Sequence, residues 1–319
     1  MTTLYRQYSL MKRTLFLAIL LVCPAIFTCS FALASPVLLD SNPPDSKTVY
    51  SSALYFRYID SMWLGQEQRS VDVPRTESPE KALVQALLDG PSAQSPYFRP
   101  LFPPGTQVLS VLEDAGFLFV TFNERLMDSL PGEEDTAGTG SGEGLLRRRL
   151  AMASLVNTLT ESGQYRSVQV LILGKTGTTS SMRLSGQYYL DKNDTLLDPL
   201  TRQEEWIITP GKAAGIILDA WKNRAFNKLE ALILRESKAA GSDGPALDMN
   251  IIPPLNTYEV SAGSIGPDGS YAVAALTAQV TTPDGQLRDI TGFPLMLIRR
   301  DGLWKLSETS ILLLSEVVR

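Results

Sequence analysis

The chain has 319 residues, 44% of them hydrophobic and 20% charged, with 29 Lys+Arg against 34 Asp+Glu and a net charge of -5. At about 150 residues per domain this leaves room for two modest domains, each with its own core, and the acidic balance offers no basic footprint for nucleic acid. There is no histidine and there are only two cysteines, so histidine-based triads, Cys-His pairs and ordinary histidine zinc sites are excluded.

Acid-base work by carboxylate or tyrosine, a Ser-Lys pair and an oxygen-ligand cation site remain formally open. None has a spacing signature here. The expectation is a protein that is not an enzyme and carries no cofactor or metal.

Arg6, Lys12 and Arg13 precede an apolar run from Leu15 to Phe31, and Ala32-Leu33-Ala34 supplies small residues before Ser35-Pro36. This reads as an export signal over 1–34, cleaved after Ala34. Two alternatives stay open. The run approaches the roughly 18 to 20 residues that span a bilayer, which would make it an uncleaved anchor; or Cys29 is acylated as in a lipoprotein, against which Phe27 and Thr28 both count. All three readings put the folded part outside the cytoplasm, in the envelope or secreted, with membrane contact only through the leader or a lipid. Cys23 and Cys29 both lie in this stretch, so a cleaved chain is held by packing alone.

Residues 35–52 are Pro-, Ser- and Asp-rich and read as a linker. Ala53 to Ile59 and Arg69 to Val73 have strand character. Ser78 as cap, Pro79 at the first helical position and Ala82, Leu83, Ala86 and Leu87 predict a helix that Asp89-Gly90-Pro91 ends. Thr106 to Leu112 and Phe117 to Phe122 alternate as a hairpin. Asp128 to Gly144 is acidic and Gly-rich and reads as a loop. A helix carrying Leu145, Met152, Val156 and Leu159 follows, ending near Gly163, and then a strand from Ser167 to Leu173. That order predicts an α+β domain over 53–203, with two helices covering one face of a sheet.

From 205 to 319 the pattern changes. One helix from about Lys212 to Ser237 is expected, followed only by strands at Asn256–Ala262, Tyr271–Val280, Leu287–Arg299 and Leu303–Glu308. A helix against a curved antiparallel sheet encloses a cone, and Trp221, Phe226, Tyr258 and Trp304 are the candidates to line its pocket. The competing reading makes the same aromatics core. Asp219 and Tyr258 are the residues to test for isomerase- or dehydratase-like chemistry.

Two further motifs invite sharper readings. Gly174-Lys175-Thr176 lacks the glycine that a phosphate loop needs at position 169, where Gln169 stands, and opens no helix, so it reads as a turn. Arg147, Arg148 and Arg149 at a helix start oppose the helix dipole; either an anionic partner or the nearby Glu133, Glu134 and Asp135 compensates them.

The landmarks Leu54-Tyr55-Phe56, Val73-Pro74-Arg75, Leu87-Leu88-Asp89-Gly90-Pro91, Pro104-Gly105-Thr106-Gln107-Val108-Leu109 and Asn157-Thr158-Leu159-Thr160 together resemble the GerMN domain, over about residues 53 to 190. The pattern departs at Thr121-Phe122-Asn123, where aspartate-x-serine is commoner. Asp301-Gly302-Leu303-Trp304-Lys305-Leu306 gives the C-terminal part a resemblance to the nuclear-transport-factor-type, SnoaL-like cone. The GerMN resemblance implies an exported, non-catalytic envelope protein that assembles with other envelope proteins in a sporulation or germination complex, and the cone is expected as a second binding or dimerization surface. The alternative is a binding module for a cell-wall or lipidic ligand in the cone pocket; a carboxylate/Tyr-dependent enzyme stands third.

Overall fold

The computed structural model describes residues 47–130, 142–173, 181–190, 193–235 and 252–318, all within one compact unit from Lys47 to Arg319. Residues 1–34, expected as an export signal, with Cys29, and Gly174-Lys175-Thr176, expected as a turn, lie outside the described residues, as do 131–141 of the expected Gly-rich loop. The fold is mixed α+β, with three sheets and few helices among the described residues.

The opening hairpin is longer than its composition implied. β1 (Thr48–Tyr58) and β2 (Leu64–Val73) pair antiparallel from Thr48↔Val73 to Arg57↔Leu64. Residues 48–52, read as linker, are therefore strand. Thr48, Val49 and Tyr50 suit a half-exposed pleated surface, and the ladder to β2 supplies their backbone partners. β3 (Phe98–Arg99) pairs with the end of β1 to complete a sheet ordered β2-β1-β3.

Helix α1 (Pro79–Leu88) forms as its punctuation predicts: Ser78 Oγ accepts from the Lys81 amide at 3.2 Å, and Ala82, Leu83, Val84, Ala86 and Leu87 are buried. β4 (Val108–Asp114) and β5 (Phe117–Phe122) then form the expected hairpin, turning at Ala115-Gly116. Helix α2 (Gly142–Thr160) carries the chain over to β6 (Ser167–Leu173), which pairs parallel with β5. α2 starts earlier than Leu145 and takes Gly142 to Gly144 from the expected loop. β7 (Ser181–Arg183) completes a second sheet, β4-β5-β6-β7.

Two separate sheets thus replace the single one expected: β1 pairs with β2 and β3, while β4 pairs with β5. α2 packs against β1 of the first sheet and β6 of the second, and every residue from Leu150 to Thr160 is buried. Its polar residues are used there: Thr158 Oγ1 accepts from the Tyr55 amide at 3.2 Å, and Ser154 Oγ donates to the Tyr55 carbonyl. Without those partners the hydroxyls would be buried at a cost of about 1 to 3 kcal/mol each.

Tyr55 also closes a network at the end of α2. Its hydroxyl donates to Glu161 Oε2 at 2.8 Å, while Arg202 Nη1 donates to the same oxygen at 2.8 Å and Nη2 to the Tyr55 hydroxyl at 3.2 Å. Burial, reinforced by the Glu161 hydrogen bond, pushes the Tyr55 hydroxyl up from 10.0 to about 12. A folded value above the unfolded one means that this contribution to stability is complete below pH 10 and is lost as pH rises through 10 toward 12. The Tyr55→Phe variant, followed by denaturant midpoints across that window, is expected to lose less stability on alkalinisation than the parent chain; an identical loss in both would contradict the assignment.

In the C-terminal part the expected helix over 212–237 is broken. α3 (Pro210–Lys222), capped by Thr209 Oγ1 accepting from the Lys212 amide at 3.3 Å, ends at Asn223. Arg224 takes φ 53°, the Ala225 amide returns to Ala220 O at 2.8 Å, and a short α4 (Phe226–Ala231) delivers β8 (Ile233–Leu234). The break falls at Arg224, whose positive φ turns the chain although Ala225 and Leu229 continue the apolar spacing of Trp221.

β9 (Leu255–Val260), β10 (Ser264–Ile265), β11 (Tyr271–Thr281), β12 (Leu287–Arg300) and β13 (Leu303–Ser307) form the third sheet, antiparallel except for β8 against β13. α3 packs against β9, β11, β12 and β13. The expectation of strands alone fails at the end, where α5 (Glu308–Val318) follows β13 and buries Ile311, Leu314, Ser315 and Val318. Their i, i+3, i+4, i+7 spacing is helical.

Residues on either side of position 204 meet repeatedly. Leu64 bridges to Ile207, Tyr58 Oη donates to the Trp304 carbonyl at 3.2 Å, and Arg299 Nη2 donates to Gln66 Oε1 at 2.7 Å.

Candidate functional site

The hairpin of β4 and β5 presents the most distinctive exposed surface in the N-terminal half. Pairing Leu112↔Phe119 and Asp114↔Phe117 puts Leu112, Phe117 and Phe119 on one face, since cross-strand partners share a side of the sheet. The opposite face, Leu118, Val120 and Phe122, is core. Leu112 is 63% exposed and Phe117 38%, while Phe119 is half-buried.

β4 lies at the edge of its sheet. The register shifts between Val108 and Ser110, a bulge that leaves Leu109 out of the ladder and 39% exposed. A bulge and the exposed Glu113 and Asp114 both discourage open-ended strand addition. What remains is a small outward apolar patch on a hairpin whose pairing is otherwise guarded.

The aromatic residues singled out in the C-terminal part do not line the cavities of about 590 and 500 Å³ found among the described residues. Trp221 on α3 and Trp304 on β13 are core, and the Trp221 indole Nε1 donates to the Pro253 carbonyl at 2.7 Å. Phe226 and Tyr258 are half-buried, with the Arg224 guanidinium 5.0 Å above the Phe226 ring.

Asp219 and Tyr258 do meet: Tyr258 Oη lies 2.6 Å from Asp219 Oδ1 and 3.2 Å from the Gly215 carbonyl. Burial, then the Asp219 hydrogen bond, raises the phenol well above its ordinary value. It keeps its proton near neutrality and clasps α3 to β9 as a donor.

The cavity of about 590 Å³ lies between β2, the loop at Ser92 to Ser95 and the turns at Asp268–Ser270 and Asp301–Gly302. Its arginine is already engaged: Arg299 donates through Nη2 to Gln66 and through its backbone amide to the Ser270 carbonyl at 2.7 Å. Among the described residues no group of three or more His, Cys, Asp or Glu is arranged to hold a metal ion, and no helix is long and apolar enough to cross a membrane.

The alternation in Phe117–Phe122 marked the hairpin in the sequence, but which face would be covered was decided by distant elements, α1 against β4 and β6 beside β5 among them. Residues 53–178 match the Germane family, described as "Sporulation and spore germination". No curated protein matches the chain. Among solved structures, the chain is similar to the tandem GerMN domains of the sporulation protein GerM from Bacillus subtilis, at 15% identity and a TM-score of 0.34, covering 72% of this chain and 61% of that one. It is also similar to the first GerMN domain of that protein, at 19% identity and a TM-score of 0.28, covering 46% of this chain and 97% of that one. The chain thus spans about three fifths of the tandem structure.

Proposed function

With a Germane segment over residues 53–178 as the premise, we propose that this is an exported, non-catalytic envelope protein in which that segment makes protein contacts within a sporulation or germination assembly. In this reading residues 1–34 direct export, 53–203 form the contact module, and 205–319 provide a second interaction surface as a nuclear-transport-factor-type module. The observation that carries it is the apolar face of Leu112, Phe117 and Phe119 on the β4–β5 hairpin, inside the matched segment. The absence of histidine from the whole chain favours contact over catalysis, since no imidazole is available as a base.

A photo-crosslinking residue placed at Asp114, which shares the face of Leu112 and Phe117, and irradiated in intact envelopes, tests this. A discrete protein adduct is expected, and Leu112→Asp should cut its yield at least fivefold. Leu112 is largely exposed, so the substitution should move stability by no more than about 0.5 kcal/mol. Equal adduct yields from both chains would defeat the proposal.

A further inference from the structure

The three consecutive arginines of α2 have three different environments. Arg147 pairs with Glu143 one turn back, Nε to Oε1 at 2.8 Å. Arg148 is buried, donating to the Tyr188 carbonyl at 3.0 Å and the Asp128 carbonyl at 3.2 Å, with its guanidinium 5.2 Å from the centre of the Tyr188 ring. Arg149 is exposed and lines a groove of about 500 Å³, together with Tyr189, Asn193, Gln203, Glu205 and Trp206.

Both walls of this groove are fixed to α2. One is the 3-10 turn Gly186–Tyr189, held by Arg148. The other is the segment from Gln203 to Trp206, held by the fully buried Asn157: its Nδ2 donates to the Gln203 carbonyl at 3.0 Å and its Oδ1 accepts from the Gln203 amide at 2.8 Å. The site is therefore formed before any ligand arrives, which lowers the ordering cost of binding.

Its chemistry is mixed in a particular way. Tyr189 and Trp206 offer half-buried rings, suited to the C–H face of a pyranose. The Gln203 side-chain amide, Asn193 Nδ2, whose Oδ1 already accepts from Thr195, and the Glu205 carboxylate suit hydroxyl and acetamido groups. The Arg149 guanidinium makes no ion pair or side-chain hydrogen bond among the described residues, its charge acting on the Tyr189 hydroxyl, and a guanidinium in that state matches a carboxylate with two parallel hydrogen bonds.

We propose that this groove binds a saccharide that carries a carboxylate. The volume lies in the range of small-ligand sites. The polar lining argues against a lipid chain, and the walls are two 3-10 turns, Gly186–Tyr189 and Glu204–Trp206, which offer no strand ladder to an extended peptide. The inference rests on the groove alone and stands or falls separately from the hairpin contact.

Calorimetric titration of the purified chain with N-acetylmuramic acid, and with N-acetylglucosamine as its neutral counterpart, tests it. Saturable binding of the acid is expected, at least tenfold tighter than that of the neutral sugar. Arg149→Gln should reduce the acid to the neutral sugar's level with an unchanged thermal midpoint, and Trp206→Leu should weaken both. No binding by the parent chain, equal binding of the two sugars, indifference to Arg149→Gln, or equally tight binding of a short acidic peptide would each overturn the proposal.

Discussion

Replacing Trp221 by alanine is expected to destabilise the chain by about 3 to 5 kcal/mol, the range for emptying a buried aromatic site. The side chain is 3% exposed and faces the third sheet from α3, so the surrounding groups cannot follow it into the space it leaves. The substitution also leaves the Pro253 carbonyl without its 2.7 Å indole donor, a further penalty that overlaps with the first. Trp221→Phe should cost less, because most of the ring volume stays. Urea unfolding monitored by circular dichroism reads the difference. A cost below about 1 kcal/mol for the alanine variant would mean that Trp221 lines an open pocket after all, restoring the ligand-binding reading of the C-terminal part.

Gly302→Ala is the second large effect expected, at about 2 to 4 kcal/mol. Gly302 has φ 76°, a region that costs a residue with a Cβ roughly 1 to 2 kcal/mol. A Cβ built there would also lie 2.8 Å from the Gln66 carbonyl oxygen and 3.0 Å from the Phe98 ring. The nearest of these atoms is backbone in β2, so it cannot rotate aside, and the turn between β12 and β13 would have to lift away from the N-terminal sheet. Gly285 separates the two contributions: it has φ 82°, with nothing within 4 Å of a built Cβ. Gly285→Ala should therefore cost only about 1 to 2 kcal/mol. If the two alanine variants unfold at the same denaturant concentration, the turn at Gly302 does not press on β2 as described.

Local punctuation made several elements legible. Ser78-Pro79 and Thr209-Pro210 each start a helix where a side-chain oxygen and a proline at the first position predict one, and both capping hydrogen bonds form. The β4–β5 hairpin follows from alternation. The failures have equally local causes. Residues 48–52 look like linker because their strand character depends on β2, a partner some twenty residues away. The α5 helix was hidden because Ile311 to Leu314 form an unbroken apolar run, which helix and strand share. The end of α3 was missed because Trp221, Ala225 and Leu229 keep helical spacing straight across the break, which is made by the backbone at Arg224.

The candidate sites divide the same way. Leu112, Phe117 and Phe119 are readable as one face of a hairpin, whereas Arg149, Tyr189 and Trp206 are far apart in sequence and carry no common motif. Arg147, Arg148 and Arg149 look equivalent as a run. Successive helical residues point about 100° apart, so one meets Glu143, one enters the interior and one reaches the groove.

What the sequence determined by itself was the inventory: no imidazole anywhere, cysteines confined to the first thirty residues, and short-range signals that start and stop individual helices and hairpins. Those are properties of residue type and near neighbours, fixed before the chain folds. The tertiary structure alone decided how the strands divide among three sheets, which aromatics became core, and which arginine side chain, among the described residues, was left without a partner. These outcomes depend on competition among distant segments for the same edges and the same buried volume, and only the packed chain resolves that competition.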